Sequence, residues 1–102
     1  QGAHLQGIHL RLPGWGANGP TLEIFQYADM PATMEKAPNS PGLAHLAFQV
    51  EDVHQACAAV LAAGGSRIGE VVSLDVAGAG EVTFAYIADP EGNIIELQRW
   101  EA

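Results

Sequence analysis

Cysteine and positive charge are both scarce in this 102-residue chain, and it contains no long apolar run. The single Cys57 rules out a disulfide within the chain, which favours a cytoplasmic setting. Four Lys and Arg residues against twelve Asp and Glu leave a net charge of −8. This balance argues against nucleic-acid binding, because phosphates require basic patches, and it suits cationic ligands or divalent metals. Without an apolar run of about 20 residues, no membrane span is expected.

The composition is otherwise that of one small globular domain. Hydrophobic residues make up 48% of the chain and charged residues only 16%, so the sequence can bury a core and is not that of a disordered segment. Cys57 lies within a helical pattern and is predicted to be a small core residue.

Alternating apolar and polar residues predict a hairpin near the N-terminus. Residues 8–12 form its first strand, the turn-rich stretch 13–20 its loop, and Thr21 to Tyr27 its second strand. Residues 28–42 follow with three prolines and no periodicity, which indicates a linker across the surface.

The rest of the chain predicts the order β-α-β-β-β. A strand at 43–50 turns Leu46, Phe48 and Val50 toward a helix, which is capped by Asp52 and ends at Gly64 and Gly65. Three more strands are predicted at 71–76, 82–87 and 94–100. The fold class is therefore α+β, with one complete module preceded by two strands that look like the end of another.

Three polar side chains in these strands are candidate metal ligands. His45 lies on the strand face directed away from the predicted helix, while Glu96 and Glu23 lie in otherwise apolar strands. A carboxylate in such a strand is costly to bury unless it is paired or coordinated. His nitrogen and carboxylate oxygen together suit Zn, Ni, Co, Mn or Fe. The alternatives are a structural role for His45 and solvent exposure for Glu96.

The remaining histidines are not assigned to the site. His9 and Arg11 are interpreted as exposed strand residues, with Arg11 as a clamp for a substrate carboxylate as the alternative. His4 precedes the first predicted strand, and His54 is expected to face solvent in the first helical turn.

The order and spacing of three segments resemble the vicinal oxygen chelate superfamily, which includes glyoxalase I, extradiol dioxygenases and bleomycin resistance proteins. The segments are GLAHLAFQVEDV at 42–53, the helix ending in AGG at 63–65, and DPEGNIIEL at 89–97. The resemblance implies a complete βαβββ module in residues 43–102, a linker at 28–42, and the C-terminal strands of an incomplete first module in residues 1–27. The earlier part of that first module would lie upstream of Gln1.

The resemblance also implies roles for the three candidates. Metal-binding members use one ligand on the first strand and one on the last strand of each module. His45 and Glu96 match these positions in the second module, and Glu23 matches the last-strand position of the first. The first-strand ligand of the first module has no counterpart. In isomerase members a glutamate ligand shuttles the proton, a catalytic role that falls here to Glu23 or Glu96.

Two classes of function stay open. The first is a metal-dependent enzyme of isomerase, lyase, epimerase or dioxygenase type, in which the metal acts as a Lewis acid on a small oxygen-chelating substrate. The alternative is a non-catalytic small-molecule binder of the bleomycin-resistance type, which the negative charge and aromatic residues suit, or a truncated inactive remnant. Unpaired sheet edges predict a homodimer, with exchanged modules as one form of it.

Overall fold

The computed structural model describes residues 4–101, and its fold is α+β, as predicted. Contacts between Cα atoms divide the chain into two compact units, Gln1–Met34 and Glu35–Ala102. The assignment of residues 1–27 and 43–102 to separate modules stays a prediction. The elements are β1 (Leu5–Arg11), β2 (Thr21–Tyr27), β3 (His45–Gln49), α1 (Val53–Ala62), β4 (Ser66–Arg67), β5 (Val72–Val76), β6 (Gly80–Ala88) and β7 (Ile94–Glu101). Within residues 4–101, no helix is long and apolar enough to cross a membrane.

The first unit contains an antiparallel hairpin of β1 and β2, paired from Leu5 opposite Tyr27 to Arg11 opposite Thr21. The hairpin predicted from the sequence is confirmed, although its first strand begins at Leu5 rather than at residue 8. Most of its large apolar side chains are exposed. A two-stranded hairpin with this much exposed apolar surface is marginally stable by itself.

The second unit is a five-stranded sheet with one helix on one face. β3 runs parallel to β7, and β6 pairs antiparallel with β7 on one side and with β4 and β5 on the other. The two-residue strand β4 is not evident from the sequence, because two residues are too few to show a period. The other elements follow the predicted βαβββ order.

The core lies between α1 and the strands beneath it. Its buried cluster is formed by Val53, Cys57, Ala85, Ile87 and Leu97, with Phe48 and Val50 packed against it. Cys57 is 2% exposed, so its predicted core position is confirmed. The prediction that Leu46 faces the helix is wrong: it is exposed, because α1 packs on β4, β6 and β7, and within β3 only Phe48 packs against the core cluster.

Both ends of α1 are fixed by local chemistry. At the start, the Asp52 carboxylate accepts a hydrogen bond of 3.0 Å from the Gln55 backbone N–H, as an N-cap does. At the end, Gly64 has a φ of +99° and Gly65 donates its N–H to the Val60 carbonyl at 2.9 Å, the pattern of a Schellman cap. The predicted bounds of the helix are therefore confirmed.

Candidate metal centre

The strand that carries Glu96 begins at a turn held together by one carboxylate. Asp89 Oδ1 accepts the backbone N–H groups of Glu91 at 2.9 Å and Asn93 at 2.7 Å, and its Oδ2 accepts the Asn93 side-chain amide at 2.9 Å. Gly92, with a φ of +82°, supplies the left-handed residue that the turn requires. These contacts set where β7 starts and hence the register in which Glu96 meets its neighbours.

The parallel pairing of β3 and β7 brings His45 and Glu96 together. His45 lies opposite Ile94, and Glu96 lies opposite Ala47. Because side chains alternate along a strand with a period of two, His45 and Glu96 point to the same face of the sheet. Their Nε2 and Oε1 atoms are 3.3 Å apart, and the side chains are 25% and 16% exposed. They form a half-buried pair on the face opposite α1.

This separation fits two ligands of one metal ion. Protein nitrogen and oxygen ligands lie about 2.1 Å from a metal such as Zn²⁺, so two ligands at right or tetrahedral angles are about 3.0 to 3.4 Å apart. The 3.3 Å between Nε2 and Oε1 falls within that range. His nitrogen and carboxylate oxygen are also ligands that divalent transition metals accept.

Among the buried side-chain nitrogen and oxygen atoms of residues 4–101, the other ring nitrogen of His45 is an exception. His45 Nδ1 is buried and has no hydrogen-bond partner within residues 4–101. Buried polar atoms in proteins are nearly always paired, and an exception calls for a local explanation. The ring is held by packing instead, because the edge of Tyr86 meets it with centroids 5.1 Å apart at 87°.

Tyr86 completes the surroundings of the pair. It lies opposite Glu96 in the β6–β7 register. Burial raises the pKa of the Tyr86 hydroxyl, and the negative charge of Glu96 raises it further. The phenol therefore keeps its proton at neutral pH and acts as a donor beside Glu96, not as a base.

The sheet face around the pair is open. It is the face of the second unit's sheet that α1 does not cover, called the open face below. Phe84 lies opposite Val72 and Gln98, and so shares this face with Tyr86 and Glu96. Val72, Leu74 and Trp100 are all exposed. The His–Glu pair thus stands at one end of an uncovered apolar and aromatic surface.

Glu23 has a histidine partner of its own within the first unit. His9 lies opposite Glu23 in the hairpin, and His9 Nε2 is 2.9 Å from Glu23 Oε2. The side chains are 63% and 44% exposed. The sequence prediction that His9 is exposed is confirmed, but that interpretation missed its pairing. The hairpin register would have revealed it, since a loop centred on residue 16 places residue 9 opposite residue 23.

The structure therefore arranges the candidates as two His–Glu pairs, one in each unit. Within residues 4–101 no three His, Cys, Asp or Glu side chains form a group able to hold a metal ion. His45 and Glu96 are brought together as expected. The assignment of Glu23 to the same ion stays a prediction.

The fold and the site define the class: an α+β protein built on a helix-backed βαβββ sheet. The sequence profile of the Glyoxalase/Bleomycin resistance protein/Dioxygenase superfamily matches residues 10–97. The chain belongs to this superfamily, which confirms the resemblance drawn from the sequence.

Two solved structures have a similar fold. A glyoxalase family protein from Bacillus cereus is similar, with a TM-score of 0.75 and 19% sequence identity. The match covers 98% of this chain and 64% of the Bacillus cereus chain. A glyoxalase/bleomycin resistance protein from Albidiferax ferrireducens T118 has a TM-score of 0.56 and 23% sequence identity. That match covers 91% of this chain and 69% of the Albidiferax ferrireducens chain. The chain thus spans less than two thirds of the Bacillus cereus protein. No curated protein matches the sequence.

Proposed function

We propose that the chain is a glyoxalase-like metal-dependent enzyme, of isomerase, lyase, epimerase or dioxygenase type, acting on a small oxygen-chelating substrate. Its protein ligands are His45, Glu96 and Glu23, and its cofactor is a divalent ion from among Zn, Ni, Co, Mn and Fe. The observation that carries the proposal is the 3.3 Å separation of His45 Nε2 and Glu96 Oε1, which two ligands of one ion would have.

In this proposal His45, Glu96 and Tyr86 have different roles. A bound divalent metal supplies a Lewis acid for two neighbouring oxygens of a substrate. Glu96 is the carboxylate that takes and returns a proton, with Glu23 as the alternative. Tyr86, held protonated by burial and by the charge of Glu96, donates to an oxygen at the site. Its edge-on contact keeps the His45 ring in place.

The open face is where the substrate would lie. Phe84 and Tyr86 pack edge to face with centroids 6.0 Å apart, and the exposed Val72 and Trp100 extend the surface. Apolar walls with a few converging polar groups are typical of small-molecule sites.

Metal analysis tests the proposal. The protein is dialysed in turn against Zn²⁺, Ni²⁺, Co²⁺, Mn²⁺ and, without oxygen, Fe²⁺, and bound metal is measured after removal of the excess. We expect stoichiometric metal in the wild-type protein and an affinity at least about tenfold lower in His45→Ala and in Glu96→Gln. His54→Ala, which removes an exposed histidine of α1, should bind as the wild type does. A wild-type protein that retains none of these ions would contradict the proposal.

The alternative function is a metal-independent binder of cationic small molecules, in the manner of bleomycin-resistance proteins. The aromatic open face beside Glu96 and the net charge of −8 favour it, because aromatic faces attract organic cations. Tight binding of an organic cation by a metal-free protein, unchanged in His45→Ala, would favour this alternative over the enzyme.

A homodimer, with or without exchanged modules, is part of the proposal. The exposed apolar residues of β1 and β2, and those of the open face, support it, because such surfaces are normally covered by another chain. Sedimentation at micromolar concentration should give a dimer, and a monomer would contradict this. A cytoplasmic setting, which the single Cys57 favours, belongs to the same proposal.

A further inference from the structure

Gln98 lies on the open face, and Trp100 fixes the orientation of its side-chain amide. The indole Nε1 of Trp100 donates a hydrogen bond of 2.8 Å to Gln98 Oε1. Because an indole N–H can only donate, the amide oxygen faces the indole and the amide NH2 group faces away from it. The half-buried Gln98 therefore presents two N–H donors in a fixed direction.

These donors lie in line with the His–Glu pair along β7. Glu96 and Gln98 are alternate residues of the strand, so they share the open face and their Cα atoms are about 6.6 Å apart. Phe84 lies opposite Gln98 on β6 and is half-buried, so an aromatic ring borders the amide. A molecule held at Glu96 that extends along β7 thus meets an apolar surface and a neutral donor.

The second unit has three Lys and Arg residues, and none of their side chains lies beside the Gln98 amide in residues 35–101. Arg99 alternates with Gln98, and Arg67 lies opposite the core residue Ile87, so both are on the sheet face that packs against α1. Lys36 donates at 3.1 Å to a side-chain oxygen in the turn before β7. That turn is about 16 Å along the strand from Gln98.

This distribution of charge favours an uncharged group at Gln98. Carboxylate and phosphate groups are normally bound by Arg or Lys, and the negative charge of Glu96 on the same face repels them. An uncharged oxygen needs only a neutral N–H donor, which the Gln98 amide supplies.

We infer that Gln98 is the residue of the proposed site that recognises the substrate. Its NH2 group donates to an uncharged carbonyl or hydroxyl oxygen of a molecule whose apolar or aromatic body lies against Phe84. Trp100 is a positioning residue, because it acts through the amide of Gln98. The inference rests on the proposed function and names the class of substrate: an uncharged molecule with an oxygen acceptor beyond the part held at Glu96.

Three ligands of nearly the same shape test the inference. Benzamide is uncharged and carries an oxygen acceptor, benzoate is its anionic counterpart, and benzamidine is cationic and carries no oxygen. Each is titrated into the whole 102-residue chain after treatment with a chelator, so that bound metal does not contribute. Binding is followed by the NMR shifts of the Gln98 side-chain NH2 group and the Trp100 indole N–H, and circular dichroism checks that each variant folds.

We expect benzamide to shift the Gln98 NH2 signals and to bind about threefold more tightly than benzoate. Gln98→Ala should weaken benzamide binding about fivefold, as loss of one hydrogen bond does, and leave benzamidine binding unchanged, which shows that the surface is intact. Trp100→Phe, which keeps a ring but removes the indole donor, should move the Gln98 NH2 signals toward those of a freely rotating side chain. Gln55→Ala, which removes an exposed glutamine of α1, should bind as the wild type does.

Unchanged benzamide binding in Gln98→Ala, equal affinity for benzoate, or Gln98 signals that benzamide does not shift would overturn the inference. The titration needs no metal, so its failure is separate from that of the proposed function. A chain that retains a divalent ion and shows any of these three results would contradict the inference alone. A chain that binds benzamide through Gln98 and retains no divalent ion would contradict the metal-dependent enzyme and support recognition by Gln98.

Discussion

The turn before β7 gives the sharpest link between a single side chain and the position of a candidate ligand. Asp89 accepts three hydrogen bonds, from the backbone N–H groups of Glu91 and Asn93 and from the Asn93 side-chain amide. Asp89→Ala removes all three acceptors. Asp89→Asn keeps an oxygen for the two backbone groups and replaces the acceptor of the third bond with an amide.

The expected loss of stability follows from the number of hydrogen bonds removed. A hydrogen bond contributes a net amount of about 0.5 to 1.5 kcal/mol, and the turn is exposed enough that the larger values for buried charged groups do not apply. Asp89→Ala should therefore reduce the free energy of unfolding by about 2 kcal/mol, and Asp89→Asn by about 1 kcal/mol. For a domain of this size, a loss of about 2 kcal/mol lowers the melting temperature by about 10 °C.

Urea unfolding followed by tryptophan fluorescence measures both variants, and Trp100 lies on β7 itself. Because the turn sets the start of β7, Asp89→Ala should also weaken metal binding at His45 and Glu96, with Asp89→Asn affected less. A free energy of unfolding unchanged in Asp89→Ala would refute this reasoning. Equal losses in the two variants would show that the carboxylate charge, and not its two bonds to the backbone, holds the turn.

Two further predictions concern packing and pH. Gly65→Ala should destabilise the protein by about 2 kcal/mol or more in thermal unfolding, because the new Cβ would lie 2.5 Å from Val60 Cγ1 and overlap the Ala88 carbonyl oxygen. Gly69→Ala, where the space is open, should have little effect, and equal losses would argue against the clash. The raised pKa of Tyr86 means that the folded state keeps a proton that the unfolded state loses, so stability should fall as the pH rises through about 10. Urea unfolding between about pH 9 and 11 should show a smaller fall in Tyr86→Phe, and an identical pH dependence would contradict this.

Much of the fold could be predicted because its signals are local. Asp52 and Gly64 mark the two ends of α1 through a cap and a left-handed residue, and neither depends on distant contacts. The alternation of β2 fixes a strand whose observed bounds are Thr21–Tyr27. The short strand β4 and the exposure of Leu46 escaped prediction because both depend on where α1 and β6 pack in three dimensions.

The candidate site, like the fold, could be predicted only in part. The sequence indicates His45 and Glu96 because both stand out in their strands, and β3 and β7 place them on one face. Tyr86 and His9 were missed as neighbours of the two glutamates, since nothing in their own segments marks them. Their positions come from cross-strand register, in which Tyr86 lies opposite Glu96 and His9 opposite Glu23. Register depends on loop geometry as well as on pattern.

The central claim is that His45 and Glu96 bind one divalent metal ion. The most direct test is a crystal structure of the zinc-loaded protein with anomalous diffraction data collected at the zinc absorption edge. We predict an anomalous peak about 2.1 Å from both His45 Nε2 and a Glu96 carboxylate oxygen. A fully loaded crystal with zinc bound elsewhere, and with these two side chains in contact only with each other, would contradict the account.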